Sequence, residues 1–543
     1  MKRLPLVTVV ALLAVTVAVT VGLASGQPTA SPAPSASEVA RVTSPPTGGT
    51  IQPPPPRAAP PTETAPPTPT PQTIAAVAIV PVTQFRTTAE RTNRDEVRAV
   101  LAGTSKGYDT LEFVESEADA VFQAIGVDRP PDDAHVLLLP DAAALSSSLA
   151  SNRKHLAFLR ASDVGPGVRA LGWGDRQLFG GGRSTTLEDW SLTAQLPQES
   201  SAAFDPARLW TLVAGGDILL DRGVAQTVKV NGKGVDFPFD GGTAEITGHT
   251  CCSGFGWEVP KTQRTSKGGA MRDLLEGADL AIANFENPAP DRFRYHTSGT
   301  VFSADPKLIE GLANAGIDWV SLANNHIGDA GRNGILQTID NLADYGIKSG
   351  GAGKDARSAR RPTILETPAG VKVGIIGYDS IAPGYRAGQD SPGSASFTEK
   401  NVISDVQKAR DSGADVVIVF PHWGTEYDPT PFAGQQALAH AAIEAGADMV
   451  IGNHAHWAGA VEVYEGKPIW YALGNFVFDQ TWSEPTMEGM TLELTFDGAH
   501  LVQARMRPHI ILDKAQPNFL DPAGDGRVVI GQVFDASKGL LPW

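Results

Sequence analysis

The sequence predicts an α/β protein, and two patterns carry this prediction. Short apolar runs typical of buried strands recur along the chain, and in the first folded region they alternate with helical patterns. Several of these runs are followed at once by a polar residue, at the carboxyl end of a strand where open α/β sheets place their sites. The chain of 543 residues, with 42% hydrophobic and 19% charged residues, has an ordinary globular balance and room for about two to four domains.

The amino-terminal residues predict export. Lys2 and Arg3 precede an uncharged apolar run from Leu4 to about Ala24. This run exceeds the ~7–15 residues of a signal-peptide core and approaches the ~20 that span a bilayer, so residues 1–26 fit either a cleaved signal peptide or an uncleaved membrane anchor. Both alternatives place the rest of the chain outside the cytoplasm, anchored to the cell membrane or secreted.

Residues 27–72 predict a disordered linker. They consist mainly of Pro, Thr, Ser and Ala, with almost no large apolar residue. Such a composition cannot bury enough surface to offset the entropy of ordering, and its prolines favour extended polyproline II. The segment is therefore interpreted as a spacer between the membrane and the folded part.

Residues 73–204 predict a small α/β domain. Strand-like runs occupy Ala75–Val80 and Val136–Leu139, and a helix is predicted for Arg94–Leu101 with Asn93 as its N-cap. The region vaguely resembles one lobe of a periplasmic solute-binding protein. It has no chemical signature, so ligand binding and partner binding both stay open.

Residues 205–543 contain five apolar runs, each followed by a side chain that can bind a metal. In chain order they are Leu209–Ala214 with Asp217, Ala278–Ala283 with Glu286, Trp319–Ala323 with Asn325 and His326, Val416–Phe420 with His422, and Met449–Ile451 with His454 and His456. One such residue is most often a turn or a helix cap. Five successive strand ends favour one shared metal site.

The ligand types indicate which ions this site would hold. Carboxylate, amide and imidazole groups without thiolates suit Mn²⁺, Fe²⁺ or Zn²⁺. A carboxylate shared between two ions gives a two-metal site, with the ions about 3.5–4 Å apart, which is typical of hydrolases. His454 and His456 are two residues apart, so on an extended segment both side chains would point the same way.

Six motifs around these residues resemble a known family. They are Gly-Asp-Ile-Leu-Leu-Asp-Arg-Gly at 216–223, Asn-Phe-Glu at 284–286, Asn-Asn-His-Ile-Gly-Asp-Ala-Gly at 324–331, His-Trp-Gly-Thr-Glu-Tyr at 422–427, Gly-Asn-His-Ala-His-Trp at 452–457 and Ala-Leu-Gly-Asn-Phe-Val-Phe-Asp at 472–479. Together they resemble the CapA family of poly-γ-glutamate capsule-synthesis proteins, in the calcineurin-like metallophosphoesterase superfamily. The resemblance implies a four-layer αββα sandwich over residues 205–543, preceded by the small α/β domain.

The resemblance also implies roles for the metal-binding side chains. Asp217 and His456 would hold the first metal and Glu286 would bridge to the second. Asn325, His422 and His454 would complete the second metal's ligands. His326 would act as the general acid or stabilise the transition state.

Two positions depart from the superfamily pattern. Its opening motif is Asp-x-His, whereas Ile218 and Leu219 follow Asp217 here, and Glu286 stands where an aspartate is usual. The first metal would therefore bind weakly, or recruit Asp221 or water.

The functional prediction combines these observations. The chain is expected to be an exported CapA-like protein, a metal-dependent hydrolase acting in poly-γ-glutamate synthesis, export or anchoring. The alternatives are a general secreted metallophosphoesterase and a non-catalytic, metal-stabilised envelope or partner-binding protein. Expected partners are an anionic polymer or a phosphoester, the membrane, and a capsule synthase or export complex. A net charge of −16 argues against nucleic acid.

Four further residues bear on the site. For Arg222, contact with an anionic substrate and solvation on the surface of a helix both stay open. Glu426 is expected to bind substrate or orient a ligand histidine, or else to cap a turn. Cys251 and Cys252 are the only cysteines. A vicinal disulfide, an intermolecular bridge and two free thiols all stay open for them. They lie in residues 231–268, a Gly/Thr-rich stretch that is interpreted as a flap over the site.

Overall fold

The computed structural model describes residues 73–131, 134–198 and 203–540. The predicted export signal at 1–26 and linker at 27–72 lie outside these residues. Among the helices of the described ranges, none is long and apolar enough to cross a membrane.

The first region is a sheet of six strands with three helices. Its strands run in the order β4-β3-β5-β1-β6, with β8 also paired to β1. The Asn93 side chain caps the first helix by accepting from the amide of Glu96, at 3.0 Å. The elements are β1 (Thr73–Gln84), β2 (Arg91–Thr92), α1 (Arg94–Leu101), β3 (Thr110–Val114), α2 (Ala118–Ile125), β4 (Val136–Leu139), α3 (Ala142–Ser151), β5 (His155–Arg160), β6 (Val168–Ala170), β7 (Gly172–Trp173) and β8 (Thr193–Gln198).

Two large sheets build the second region. One has eight strands in the order β14-β13-β12-β9-β24-β25-β26, with β23 also paired to β9, and the other runs β16-β17-β19-β20-β22-β21. The strands are β9 (Leu209–Ile218), β10 (Ala244–Thr250), β11 (Val259–Arg264), β12 (Leu280–Phe285), β13 (Trp319–Ser321), β14 (Lys348–Gly350), β15 (Ala352–Gly353), β16 (Thr363–Glu366), β17 (Lys372–Asp379), β18 (Gly393–Ser394), β19 (Val416–His422), β20 (Met449–Ile451), β21 (Val461–Tyr464), β22 (Lys467–Trp470), β23 (Asn475–Val477), β24 (Glu488–Asp497), β25 (His500–Leu512) and β26 (Gln516–Phe519).

The second region also contains helices, most of which pack on the outer faces of the two sheets. They are α4 (Arg222–Ala225), α5 (Ala270–Glu276), α6 (Ile309–Asn314), α7 (Gly331–Asp344), α8 (Ala356–Ala359), α9 (Glu399–Asp411), α10 (Ala433–Glu444), α11 (Glu484–Met487) and α12 (Arg527–Ala536). Residues in α5, α6 and α7 share a core with the eight-stranded sheet. Residues in α9 and α10 share another core with the six-stranded sheet. By contrast, α11 and α12 contribute residues to the cluster between the two sheets.

The alternation of side chains along each strand divides these cores. Leu212 in β9 and Ile418 in β19 belong to one cluster between the sheets. Their neighbours Val213 and Val417 face the outer helices. Because both faces are covered there, β9 and β19 begin with nearly continuous apolar runs. The predicted αββα sandwich is confirmed.

The strand that carries Asp217 is longer than the sequence predicts. The apolar run ends at Ala214, yet β9 continues through Gly215 and Gly216 to Ile218. A side chain at Gly216 would lie 1.9 Å from the carbonyl oxygen of Gly474. Glycine is therefore required here, because the chain before β23 passes directly against β9.

Candidate metal centre

The predicted metal-binding side chains come from both sheets. Asp217 lies near the end of β9 and Glu286 directly follows β12, while His422 is the last residue of β19. Asn325 follows β13 in the same sheet as Asp217, and His454 follows β20 in the other. The carboxyl ends of the two sets of strands meet, and the side chains converge there.

His454 and His456 reach the site through a turn rather than an extended segment. Their φ angles are 93° and 57°, both in the left-handed region that non-glycine residues rarely adopt. The expectation that both side chains point one way along an extended strand is therefore wrong. Both rings still reach the site, with centroids 6.1 Å apart. Strained backbone of this kind is concentrated at functional sites.

Glu286, His422 and His454 form one candidate metal-binding group, named here the second subsite. His422 Nε2 lies 3.5 Å from Glu286 Oε1 and 3.0 Å from His454 Nδ1. Asn325 Oδ1 approaches the same nitrogen to 2.7 Å. Four side chains thus gather around one point.

Asp217, Glu286 and His456 form the other group, the first subsite. His456 Nδ1 lies 3.6 Å from Asp217 Oδ2, and His456 Nε2 lies 3.9 Å from Glu286 Oε1. Asp217 is also held by two donors, the Asn284 side-chain amide at 2.7 Å and the backbone amide of His454 at 3.2 Å. Glu286 belongs to both groups, in the place of a bridging carboxylate.

Glu286 provides the test of whether a cation fits. Both of its carboxylate oxygens are buried and neither accepts a hydrogen bond from the described residues, although His422 Nε2 lies 3.5 Å from Oε1. Burying an unpaired carboxylate costs several kcal/mol unless a cation or donor compensates it. A divalent ion on either side of Glu286 would supply that compensation, so the side chains present fit metal binding.

Burial favours the uncharged forms of the two carboxyl groups and of the three ligand imidazoles. Burial raises the pKa of Asp217 to about 7 and, together with the Asp217 charge, raises that of Glu286 well above its ordinary value. Burial lowers the pKa of His454 to about 3 and holds those of His422 and His456 well below the usual value. The imidazoles are therefore neutral, which is the form that binds metals.

His326 lies beside the second subsite and is oriented by a carboxylate. Its Nδ1 donates to Asp329 Oδ2 at 2.9 Å, and the Tyr385 hydroxyl donates to Asp329 Oδ1 at 3.1 Å. The Phe302 ring lies against the imidazole, with centroids 4.0 Å apart. This pairing leaves Nε2 of His326 available for proton transfer.

The comparisons with known proteins agree with this architecture. The family model described as "Bacterial capsule synthesis protein PGA_cap" matches residues 211–480. A probable polyglutamine synthesis accessory protein of Mycobacterium tuberculosis is 31% identical over 284 residues, which cover 50% of this chain and 74% of that protein. The chain belongs to this capsule synthesis family.

Two Bacillus relatives are similar over part of their length. The "Capsule biosynthesis protein CapA" of Bacillus anthracis is 35% identical, over 49% of this chain and 66% of its own. The "PGA biosynthesis protein CapA" of Bacillus subtilis is 32% identical, over 39% of this chain and 57% of its own. The chain therefore spans about three fifths of the length of these two relatives.

The segment that matches the family includes Leu219 and Glu286, the two positions that depart from the expected motifs at the first subsite. Leu219, where the Asp-x-His motif named in the sequence analysis would have a histidine, is fully buried against Phe302 and Phe478. Asp221 accepts from the amides of Arg222, His296 and Ser303 at 2.7, 3.0 and 2.8 Å, and its other contact is the His296 imidazole. These contacts engage both oxygens of Asp221, and neither candidate metal-binding group of the described residues includes it, so recruitment of Asp221 by the first metal stays a prediction without structural support.

Arg222 and Glu426, the predicted substrate residues, lie at different depths. Arg222 is held by Asp479, donates to the Gly299 carbonyl at 2.8 Å, and lies 4.7 Å from the centre of the Phe302 ring. Its charge lowers the pKa of Glu286, whereas the charge of Glu426 raises it. Glu426 is exposed. The hydrogen-bond partners of His422 are Asn284, Asn325 and His454, so Glu426 does not orient that imidazole.

Other functional residues were not predicted. Asn475 accepts from His456 Nδ1 at 2.9 Å, which directs Nε2 toward Glu286. Asn284 donates to Asp217 and lies 3.1 Å from His422 Nδ1, so it connects the two sheets. Asn453, directly before His454, is buried with neither amide atom hydrogen-bonded. All three asparagines lie inside the motifs that resemble the family, and this location is the sequence feature that could have indicated them.

The stretch interpreted as a flap contains the hairpin of β10 and β11. Cys251 and Cys252 near its tip are bonded to each other. Trp257 packs edge-on against Trp457, the residue after His456, with ring centroids 6.3 Å apart. The hairpin tip therefore reaches a side chain next to the first subsite.

Proposed function

We propose that this chain acts at the cell envelope in making, exporting or anchoring poly-γ-glutamate, as a two-metal hydrolase. The names of the relatives support the polymer, since they describe capsule, PGA or polyglutamine synthesis. The observation that carries the hydrolase is Glu286, whose unpaired oxygens lie between two histidine-containing groups. The bond cleaved would be an ester, phosphate or amide bond of the polymer or of its carrier.

The ions expected are Mn²⁺, Fe²⁺ or Zn²⁺, because the ligands are carboxylate, amide and imidazole. When bound, two such ions would lower the pKa of a shared water and neutralise a developing oxyanion. His422, His454 and Asn325 would hold one ion, and Asp217 and His456 the other. Glu286 would bridge the pair.

The chain's own residues would complete the chemistry. His326 donates Nδ1–H to Asp329, so as a general acid it would be the doubly protonated imidazolium and would give the Nε2 proton to the leaving group. Arg222 lies where its charge acts on Glu286 and His456, so it would attract an anionic substrate toward the centre. A neighbouring synthase or export complex, and the membrane, are the expected partners.

A second candidate is a non-catalytic envelope protein that keeps one ion for structure. The observation that favours it is Leu219, which leaves the first subsite with three protein ligands from Asp217, Glu286 and His456. A secreted phosphoesterase unrelated to capsule would have the same centre and differ only in substrate.

Metal content and hydrolysis of the whole chain test these candidates together. We expect two ions per chain by elemental analysis, and Mn²⁺-dependent cleavage of a generic phosphodiester or a γ-linked glutamate oligomer. His326→Ala should reduce cleavage by about 10²- to 10⁴-fold while both ions stay bound. His500→Ala, at an exposed position outside the site, is the matched control and should change neither readout.

Each outcome assigns a function. One bound ion without cleavage would favour the structural candidate. Cleavage of the phosphodiester alone, with normal γ-linked polymer in a deletion strain, would favour the general phosphoesterase. Absence of metal, together with an unchanged cellular phenotype for His454→Ala, would contradict the catalytic proposal.

A further inference from the structure

A cavity of about 710 Å³ lies between the first region and the carboxyl-terminal helix α12. Its lining contains four arginines, and among its other lining residues are Thr92 and Tyr108. The arginines are Arg86, Arg91, Arg153 and Arg527. This arginine pocket shares no residue with the metal centre and lies outside the matched family segment of 211–480.

The four guanidinium groups have no carboxylate partner. Within the described ranges, none of them lies within 4.0 Å of a carboxylate oxygen. The pocket's two acidic residues are engaged elsewhere: Glu96 accepts from the Ser105 hydroxyl, and Asp535 pairs with Lys538 at 3.0 Å. Arg86 is half-buried and the other three are exposed, and Arg91 and Arg527 also donate to the carbonyls of Gly174 and Gly524 at 3.4 and 3.2 Å.

Two donors in the pocket wall are buried without a partner. Arg86 Nε and Thr92 Oγ1 are inaccessible to solvent and make no hydrogen bond. Solvated surface arginines do not leave such atoms, because water satisfies them. Burial, and then the charge of Arg153, lowers the pKa of Arg86, so the two guanidinium groups lie close enough to repel. A bound anion would accept hydrogen bonds from the two buried donors and would reduce the repulsion between Arg86 and Arg153.

We propose that the arginine pocket binds an organic anion carrying at least two carboxylate or phosphate groups. Planar guanidinium groups suit such oxygens because they donate two parallel hydrogen bonds. The volume falls within the roughly 300–1,000 Å³ of organic-ligand sites, which is more than one inorganic ion requires. The Phe534 ring, 5.6 Å from Arg86 Cζ, supplies an apolar wall for the carbon skeleton.

A short stretch of γ-linked glutamate is the ligand that the proposed function selects, since each unit presents one free α-carboxylate. This choice of anion rests on the proposed function, whereas the pocket itself does not. The pocket would then bind the polymer, or its acceptor end, at a site separate from the metal centre.

Calorimetric titration of the whole chain with γ-linked triglutamate tests the proposal. We expect saturable binding that weakens at least tenfold in Arg86→Gln/Arg153→Gln. The matched control is Arg98→Gln/Arg208→Gln, which removes the same charge from two exposed arginines paired with Asp95 and Asp497. It should change the Kd less than twofold. Arg86→Lys/Arg153→Lys keeps the charge. An intermediate loss of affinity in this variant would show that the guanidinium geometry contributes to binding. Thermal unfolding checks that the variant is folded.

Two further probes complete the test. The γ-linked trimer with every free carboxylate converted to a carboxamide, which keeps the linkage and lacks the charges, should not bind, and inorganic phosphate should bind at least tenfold more weakly than triglutamate. No saturable triglutamate binding, equal loss in the control variant, or tighter binding of phosphate would overturn the proposal. Titration in excess chelator separates the pocket from the hydrolase, because triglutamate should still bind in the arginine pocket when no ion is available to the metal centre.

Discussion

The two halves of the metal centre share Glu286 but differ in what else the chain supplies. The second subsite adds His422, His454 and the Asn325 amide, with Asn325 Oδ1 and His454 Nδ1 2.7 and 3.0 Å from His422 Nε2. The first subsite adds only Asp217 and His456. Asp217 is also committed to two hydrogen-bond donors, which reduce the charge it offers an ion. We therefore expect the second subsite to bind its ion more tightly.

The difference is built into the packing around the first subsite. Leu219 occupies the position of the missing histidine and packs with Phe302 and Phe478. These two rings in turn lie against His326 and His456, with centroid distances of 4.0 and 4.9 Å. Apolar packing thus stands where a further ligand is expected, so the first subsite offers fewer protein ligands than the second.

The largest effect is expected at the shared residue. Glu286→Gln keeps the shape but removes the charge that both ions would share, so both should be lost. We expect hydrolysis to fall roughly a thousandfold, about 4 kcal/mol of transition-state stabilisation. Elemental analysis and single-turnover hydrolysis measure the two effects. Retention of one ion per chain would show that Glu286 serves only one subsite.

The outline of this site could be predicted from sequence because each strand is a short apolar run and its end is marked by a polar residue. The run Met449–Ile451 coincides with β20. The sequence does not indicate that the five strands divide between two sheets, since local patterns contain no information on pairing. It also does not indicate that His454 has a left-handed φ of 93°.

Partners distant in the chain were the least predictable feature. In the sequence Asp221 looks available as a ligand. In the structure it accepts hydrogen bonds from the amides of His296 and Ser303, which lie 75 and 82 positions further along the chain. Asn475 resembles an ordinary loop residue, yet it fixes the His456 ring. Asparagine and aspartate are common in turns, so their residue type alone does not separate these roles.

Replacing one histidine at a time should show that the two subsites bind their ions with different affinities. His456→Ala is expected to release the first ion and keep the second, whereas His454→Ala should weaken the second ion on the order of a hundredfold. Mn²⁺ titration followed by calorimetry measures both constants. If His456→Ala removed the tighter ion, the ranking of the two subsites would be reversed.

A smaller effect is expected from the residue that orients His456. Asn475→Ala removes the acceptor of His456 Nδ1 and should weaken the first ion by about 10- to 100-fold. Asn475→Asp keeps an acceptor at the same place and should restore most of this loss. The second ion should be unchanged in both variants, and an equal loss at both subsites would indicate general unfolding instead.

The smallest expected effect is an increase in affinity for the first ion. Leu219→His places an imidazole where the superfamily has one, so the first ion should bind about tenfold more tightly, or about 1.4 kcal/mol. The histidine disturbs the packing of Phe302 and Phe478, so the free energy of unfolding without metal should fall by about 1–3 kcal/mol. Leu219→Met, of similar volume, is the control and should leave the affinity unchanged. A folded Leu219→His protein with an unchanged first-ion Kd would mean that the missing histidine is not what separates the two halves.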